Sequence, residues 1–491
     1  MTLAELVWEN PLLVKHLRSR LRLQQLVPAV FAVVIVAACI LWWSSVTSRA
    51  YEDGVTFYGL LLVQGALLLL VGTSEVASAV ANAKDTGTLD FHRISPQPPV
   101  ATAIGFILGA PIREYVLVAA TLPFSLFAAC MGPPGPFGWL VTLVVLLASG
   151  LLFHTLAALS GVTSNKPRGA GAWVILLILI LHCSGTALQS GLLTAVPTVI
   201  SLMEKRPELN IRDSFLGLKL PYAALSLLHI LPVLAFLFIA VVRRMRSERA
   251  PVYSKPEAMA FHATIGLLVL GDVAGLVITE IRSFAEMTTM YILTLAALLL
   301  TLAVTPSAGE FAKGVRRARK LGLPQVPLWS EWAANWLPVG VFCGLTAVLA
   351  LVAGVTAMSG EEGVAPVRLF GPLVVAMATI ASFGSARQFF GLQFRKAGGT
   401  YFALFIFLVW IVPLLVGYVA QESGVKNGGA ELILGITPVV GIGMGNTTDK
   451  PQDLIGIASA IVASLVLAGI FIPLRLHAER AATEAAKRPW G

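Results

Sequence analysis

The sequence predicts an all-α, polytopic transmembrane protein: about twelve helical spans in two unequal six-span halves, with both termini on the cytoplasmic side. Three observations lead there. The 491-residue chain is 57% hydrophobic and only 12% charged, with a mean hydropathy of +0.82, where a soluble domain carries about 25% charged residues. Its apolar runs are long and do not alternate, so their backbone groups are satisfied as helices and not in a β-barrel. Its basic residues are also distributed unevenly between the segments that join those runs.

At the N-terminus, Asn10 and Pro11 read as an N-cap and first helical residue. Leu13, Leu17 and Leu21 then recur every four residues against His16, Arg18, Arg20 and Arg22, which suits a short amphipathic helix on the membrane surface. Spans of about 20 apolar residues are expected near 26–47, 56–82, 100–130, 138–162, 171–202, 220–242, 258–279, 287–306, 334–357, 367–387, 399–420 and 452–474. The third and fifth are over-long, with Pro111, Gly185 and Pro197 as break points. With the N-terminus inside, the cytoplasmic segments and their span ends hold 25 of the 35 Lys and Arg; the outer segments hold nine and Arg113 lies within a span. Basic residues concentrate on the cytoplasmic side of membrane proteins, so the N-in, C-in orientation follows. The net charge of +9 has the same origin and calls for anionic lipid, not nucleic acid, as its partner.

The segment 243–257 divides the chain into halves, 1–245 and 246–491, and the halves echo one another faintly. Pro96-Gln97 and Pro99 match Pro324-Gln325 and Pro327, each group following the second span of its half. Each half also has an outer loop between its fifth and sixth spans, 203–219 and 421–451. The second of these carries an apolar stretch, Leu432–Met444, too short to span and expected to rest at or re-enter the outer surface.

The most informative stretch is Ser74–Tyr115. Between two apolar runs it carries Lys84-Asp85-Thr86-Gly87-Thr88-Leu89-Asp90-Phe91, then a stop at Ser95-Pro96-Gln97-Pro98-Pro99. A short helix fits there. Gly87 permits a tight entry, Thr88 or Asp85 supplies a cap, and the prolines end it. Phe91 and Ile94, three apart, share one side, with Leu89 on the flank. This surface is expected to be touched by a partner.

Among the charges that fall within spans, four stand out: Glu75 near the inner end of the second, Arg113 and Glu114 in the third, and Asp272 in the seventh. Intramembrane charges are costly and often functional. Glu75 is equally suited to reaching headgroups. Arg113 and Glu114, about 100° apart on a helix, each call for a separate partner, and an ion-pair network is preferred to substrate contact. Asp272 fits a functional or a hydrogen-bonded structural role. The single histidines His154, His182, His229 and His262 lack ligand spacing, and Cys39, Cys130, Cys183 and Cys343 form no CxxC pair. No metal site, catalytic constellation or cofactor motif is expected. Gly441-Ile442-Gly443-Met444-Gly445 follows no strand, and no GxxxxGK[ST] sequence occurs.

The Lys84–Asp90 run resembles the E-R-E-x-G-T-L-[DE] signature of ABC transporter permeases of the type-2 (exporter) class. Ala83, Lys84 and Asp85 stand in place of its first three residues. Ile94-Ser95-Pro96 and Gly105-Phe106-Ile107-Leu108-Gly109 are similar to the family's T-P and G-K-L-L-G, with Phe106 in the lysine's place. The helix from Pro11 to Arg22 looks like the family's surface elbow, and Leu432–Met444 like its partly inserted outer segment. The resemblance covers residues 1–245 well and the second half weakly, because the segment Glu310–Pro327 has no GTLD. It implies a permease subunit in the cell membrane, such as a bacterial inner membrane. A separate cytoplasmic ABC ATPase, dimerising on ATP, would dock on Lys84–Phe91. Two other classes are weighed: a membrane-embedded transferase, which calls for carboxylates or histidines in a large outer loop, and a secondary transporter, which calls for polar sites near the midplane.

Overall fold

The structure is a computed structural model and describes residues 9–47, 51, 54–164, 214–216, 218–248, 250–275, 279–358, 366–423, 428–443 and 451–487. Apart from turns and a pair of two-residue strands, Ser214–Phe215 and Leu218–Lys219, the described elements are helical. Among the described residues, eight helices are long and apolar enough to cross a bilayer. A ninth arises if two helices bent by 64° are counted as one span. The chain is thus an all-α, multi-pass membrane protein. It forms two compact units, Met1–Asp213 with Lys219–Val252, and Ser214–Leu218 with Tyr253–Gly491.

In the first unit, α1 (Pro11–Arg20) begins at the expected cap. Asn10 is fully buried because it serves two elements. Its Oδ1 accepts from the amides of Leu12 (3.0 Å) and Leu13 (3.3 Å), and its Nδ2 donates to the Ala101 carbonyl. α2 (Leu23–Val46) turns Phe31, Trp42 and Trp43 outward, as a lipid-facing span with aromatic residues at its end does. α3 (Val55–Asp85) contains a π-helical stretch, Ala66–Gly72. The expected third span is two helices, α5 (Pro99–Gly109) and α6 (Ile112–Met131), broken at Pro111; between α3 and α5 lies the short α4 (Thr88–Ile94). α7 (Gly135–Thr163) and α8 (Tyr222–Arg246) complete the unit. The expected span 171–202, with Gly185, Pro197 and His182, lies outside the described residues.

Small residues set two of the close packings. α1 lies on α5, with Leu12 over Gly105 and His16 over Gly109. The two pairs share one spacing, so a single face of each helix suffices. A Cβ on Gly105 would stand 2.8 Å from Leu12 Cβ. Gly105→Leu is therefore expected to lift α1 away, at a cost of about 1–3 kcal/mol. Adding Leu12→Ala should recover part of the lost melting temperature; no recovery would separate the effect from this contact.

Several buried polar groups in the first unit pair with one another or with the backbone. His154 Nε2 lies 3.0 Å from the Leu68 carbonyl inside the π-helical stretch. A carbonyl only accepts, so Nε2 carries the hydrogen and Nδ1 accepts from the Tyr115 hydroxyl at 3.1 Å. Gln64 Nε2 donates to Thr121 (3.0 Å) and Ser125 (3.1 Å), and Trp139 donates to Ser125 (3.0 Å).

The second unit holds α9 (Lys255–Gly275), α10 (Thr279–Val304), α11 (Ala308–Lys320), α12 (Trp336–Met358), α13 (Pro366–Gln393), α14 (Arg395–Glu422), α15 (Gly429–Gly435), α16 (Pro438–Gly443) and α17 (Pro451–Lys487). The bent pair is α10 with α11, so α11 follows the expected eighth span as α4 follows the second. Lys255 is buried and donates to the carbonyls of Leu328 (3.0 Å), Ala333 (2.9 Å) and Ala334 (2.8 Å). α15 packs against α14 and α17 and α16 against α13 and α17, and Thr437 between them donates to the Trp410 carbonyl at 3.1 Å. Trp410 sits in a π-helical stretch, Phe407–Ile411, midway along α14, so the expected outer segment, described as far as Gly443, reaches the middle of that span at Thr437. In both units a side chain from another element binds a carbonyl within a π-helical stretch.

Candidate docking surface

The turn into α4 is built on Gly87, the one residue there with φ in the left-handed region (+71°). A Cβ at this position would meet no neighbouring atom within 4 Å. The demand is therefore on the backbone alone, which glycine satisfies without strain. Neither Thr88 nor Asp85 caps the helix as expected. Gly87 occupies the N-cap position without a side-chain bond, and Thr88 is already the first helical residue. The Thr88 hydroxyl instead lies 2.9 Å from that of Thr86, which donates back to the Asn82 carbonyl at 2.8 Å. At the far end Ser95 leaves the helical conformation and the prolines follow.

Leu89 does not flank the outer face. It is 1% exposed and joins the cluster of Val76, Val80, Phe106 and Met245. The reason is helical phase: two residues separate Leu89 from Phe91, a turn of about 200°. With one facing the body, the other faces out. Phe91 is 65% exposed and Ile94 85%. Asp85, Thr86, Gly87 and Asp90 are also exposed and complete the surface.

Two cations tie this segment to helix ends. Lys84 donates to the carbonyl of Ser164, just past α7, at 2.8 Å. Arg93 donates to the carbonyls of Arg244 (3.1 Å) and Met245 (3.3 Å) at the end of α8, and pairs with Asp90. Positive groups are favoured at helix C-termini, where unpaired carbonyls and the helix dipole present negative charge. Glu248 stands 3.7 Å from Lys84 and 3.9 Å from Arg93, which holds the segment after α8 in the first unit. Arg93 and Glu248 were not legible as part of this site. Their partners lie some 150 residues away in sequence, and only the i,i+3 spacing of Asp90 and Arg93 gives a local hint.

A second cluster sits behind the first. Glu75 on α3 accepts from Arg20 at the end of α1 (2.6 Å) and lies 3.8 Å from Arg113 at the start of α6. Arg113 thus has a separate partner in Glu75, as the expected ion-pair network requires, and it also pairs with its neighbour. Its guanidinium folds back on Glu114, with Nε at 3.0 Å and Nη2 at 2.8 Å from Oε1. A long flexible side chain overrides the 100° separation of the two Cβ atoms. Glu114 is 1% exposed, so the pairing compensates a buried carboxylate. The network joins α1, α3 and α6. His16 lies beside it over Gly109, its pKa pulled down to about 4 by burial and then by the charges of Arg20 and Lys15. His92 on α4 is shifted down as well, chiefly by burial. Both are neutral near pH 7.

Asp272 belongs to the second unit. It lies half-buried in the last described turn of α9, next to Gly271, whose carbonyl accepts from the Leu216 amide at 2.9 Å. The described residues therefore gather Glu75, Arg113 and Glu114 with one another in the first unit, and Asp272 belongs to the second. Compared with protein-family models, with curated proteins and with solved structures, the chain matches none.

Proposed function

We propose that this chain is the membrane-spanning permease subunit of an ATP-driven transporter of the type-2 ABC class. It crosses the cell membrane about twelve times with both termini inside, and it is powered by a separate ATPase chain that docks on α4. The observation that carries the reading is the α4 segment. A seven-residue helix presents Phe91 and Ile94 to solvent, while Leu89, Lys84 and Arg93 fix it to α3, α7 and α8. A solvent-facing apolar pair on a rigid mount suits contact with another chain. It also transmits force, because a push on α4 reaches three helix ends without first being absorbed in a loop. The Glu75 network carries the same push from α3 to α1 and α6.

The chain has no Walker sequence, so the nucleotide chemistry belongs to the partner. Affinity purification of the intact protein from native membranes in mild detergent is expected to bring down a chain with Walker A and Walker B sequences, near stoichiometric with the permease. Repeated purification without such a chain would sink the proposal and favour an ion-coupled transporter, with Asp272 the first residue to test.

A further inference from the structure

A half-open cavity of about 860 Å³ lies in the second unit where α11, the end of α13, the start of α14 and the last turns of α17 meet. Its walls are of two kinds. Ala312 of α11 and Ala478, Ala482 and Ala485 of α17 give an apolar wall of methyl groups, and Arg316, Arg395 and Lys396 form a basic rim. No carboxylate lines it. Elsewhere an exposed cation finds an acid: Lys313 pairs with Glu310. Arg395 and Lys396 have no ion-pair partner among the described residues. The first-turn residues Ala308 and Gly309 of α11 also face the cavity, adding backbone amides that the helix itself leaves unpaired.

The cavity's depth is fixed by its walls. Both α13 and α14 are long and apolar enough to span, and the Arg395–Ala397 turn joins them. α11 is strongly amphipathic in sequence and bends away from α10 by 64°, which suits a helix lying along a membrane surface. The basic rim thus stands at headgroup depth, and the alanine wall of α17 leads from it toward the apolar part of the same helix.

We propose that this cavity is a binding site for an anionic phospholipid, with its phosphate against Arg316, Arg395 and Lys396 and an acyl chain along the alanine face of α17. A soluble phosphate would use the cations and leave the apolar wall without purpose; a neutral lipid would leave Arg395 and Lys396 without an anionic partner. Basic pockets between helices at the membrane surface hold anionic headgroups by the same physics.

The test uses the full-length protein, purified and delipidated in detergent, with the melting temperature of each variant compared with its own lipid-free value. Phosphatidylglycerol should raise the melting temperature of the wild type by several degrees and persist as an adduct in native mass spectrometry. Phosphatidylcholine and inorganic phosphate should do neither. Arg395→Gln with Lys396→Gln, on exposed residues at the rim, should weaken phosphatidylglycerol binding about thirtyfold. Ala482→Leu, which fills the cavity and keeps every charge, should weaken it as well. Equal stabilisation of the wild type and both variants would overturn the proposal. So would inorganic phosphate acting as well as the lipid.

Discussion

Replacing Leu89 with Asp is expected to remove most folded protein from the membrane fraction, whereas Phe91→Asp with Ile94→Asp leaves it in place. The two changes lie within one seven-residue helix and differ in what they bury. Leu89 fills the cluster between α3 and α5 at 1% exposure. Its loss forfeits about 1.5–3 kcal/mol of side-chain burial, and an unpaired carboxylate left there adds several kcal/mol more. The total, on the order of 5 kcal/mol, exceeds what ordinary single substitutions cost and approaches the whole stability of a domain. Phe91 and Ile94 already face water, so a carboxylate there costs little folding energy. Fluorescence-detected size exclusion of tagged variants checks this: Leu89→Asp should aggregate or vanish, and the double variant should elute like wild type. A double variant that also aggregates would place Phe91 and Ile94 inside the fold.

A comparable loss is expected at Lys255. Its ammonium serves three carbonyls of the 328–334 segment. Lys255→Met keeps most of the stem and removes every donor, which leaves those carbonyls competing for partners in a largely dry site. An acceptor left unsatisfied on burial costs about 1–3 kcal/mol. With two of the three only partly buried, a total near 3 kcal/mol is expected, visible as a fall of several degrees in thermal stability. Lys255→Arg should retain part of it through its own donors. A Met variant as stable as wild type would show that water can replace the ammonium.

What the sequence disclosed and what it concealed follow from range. The Asn10 cap, the left-handed Gly87, the break at Pro111 and the proline stop after Ile94 are set by one or two residues and their neighbours, and they were readable as such. The inward turn of Leu89 was not. A helix of seven residues with Leu89, Phe91 and Ile94 all apolar has no pattern that fixes its phase, and only packing against Val76 and Phe106 decides which one faces the body. The ion-pair network of Arg113 was legible from its charge, but its direct bond to Glu114 was not, because Cβ directions say little about side chains that can bend back on a neighbour. The grip of Lys84 on Ser164, and of Arg93 on Met245, is a contact between distant segments, and no local spacing encodes it. Thus the location of the candidate surface was legible, and the face it presents was not.

The central claim is that a separate ATPase touches α4 through Phe91 and Ile94. A photo-crosslinking amino acid placed at Ile94 in native membranes tests it most directly, beside a control at Leu140, an exposed position on the spanning helix α7. The account predicts an ultraviolet-dependent adduct with a Walker-containing chain at Ile94, lost when ATPase expression is repressed, and no such adduct at Leu140. Adducts at Ile94 with lipid alone, or with the same chains as Leu140, would contradict it.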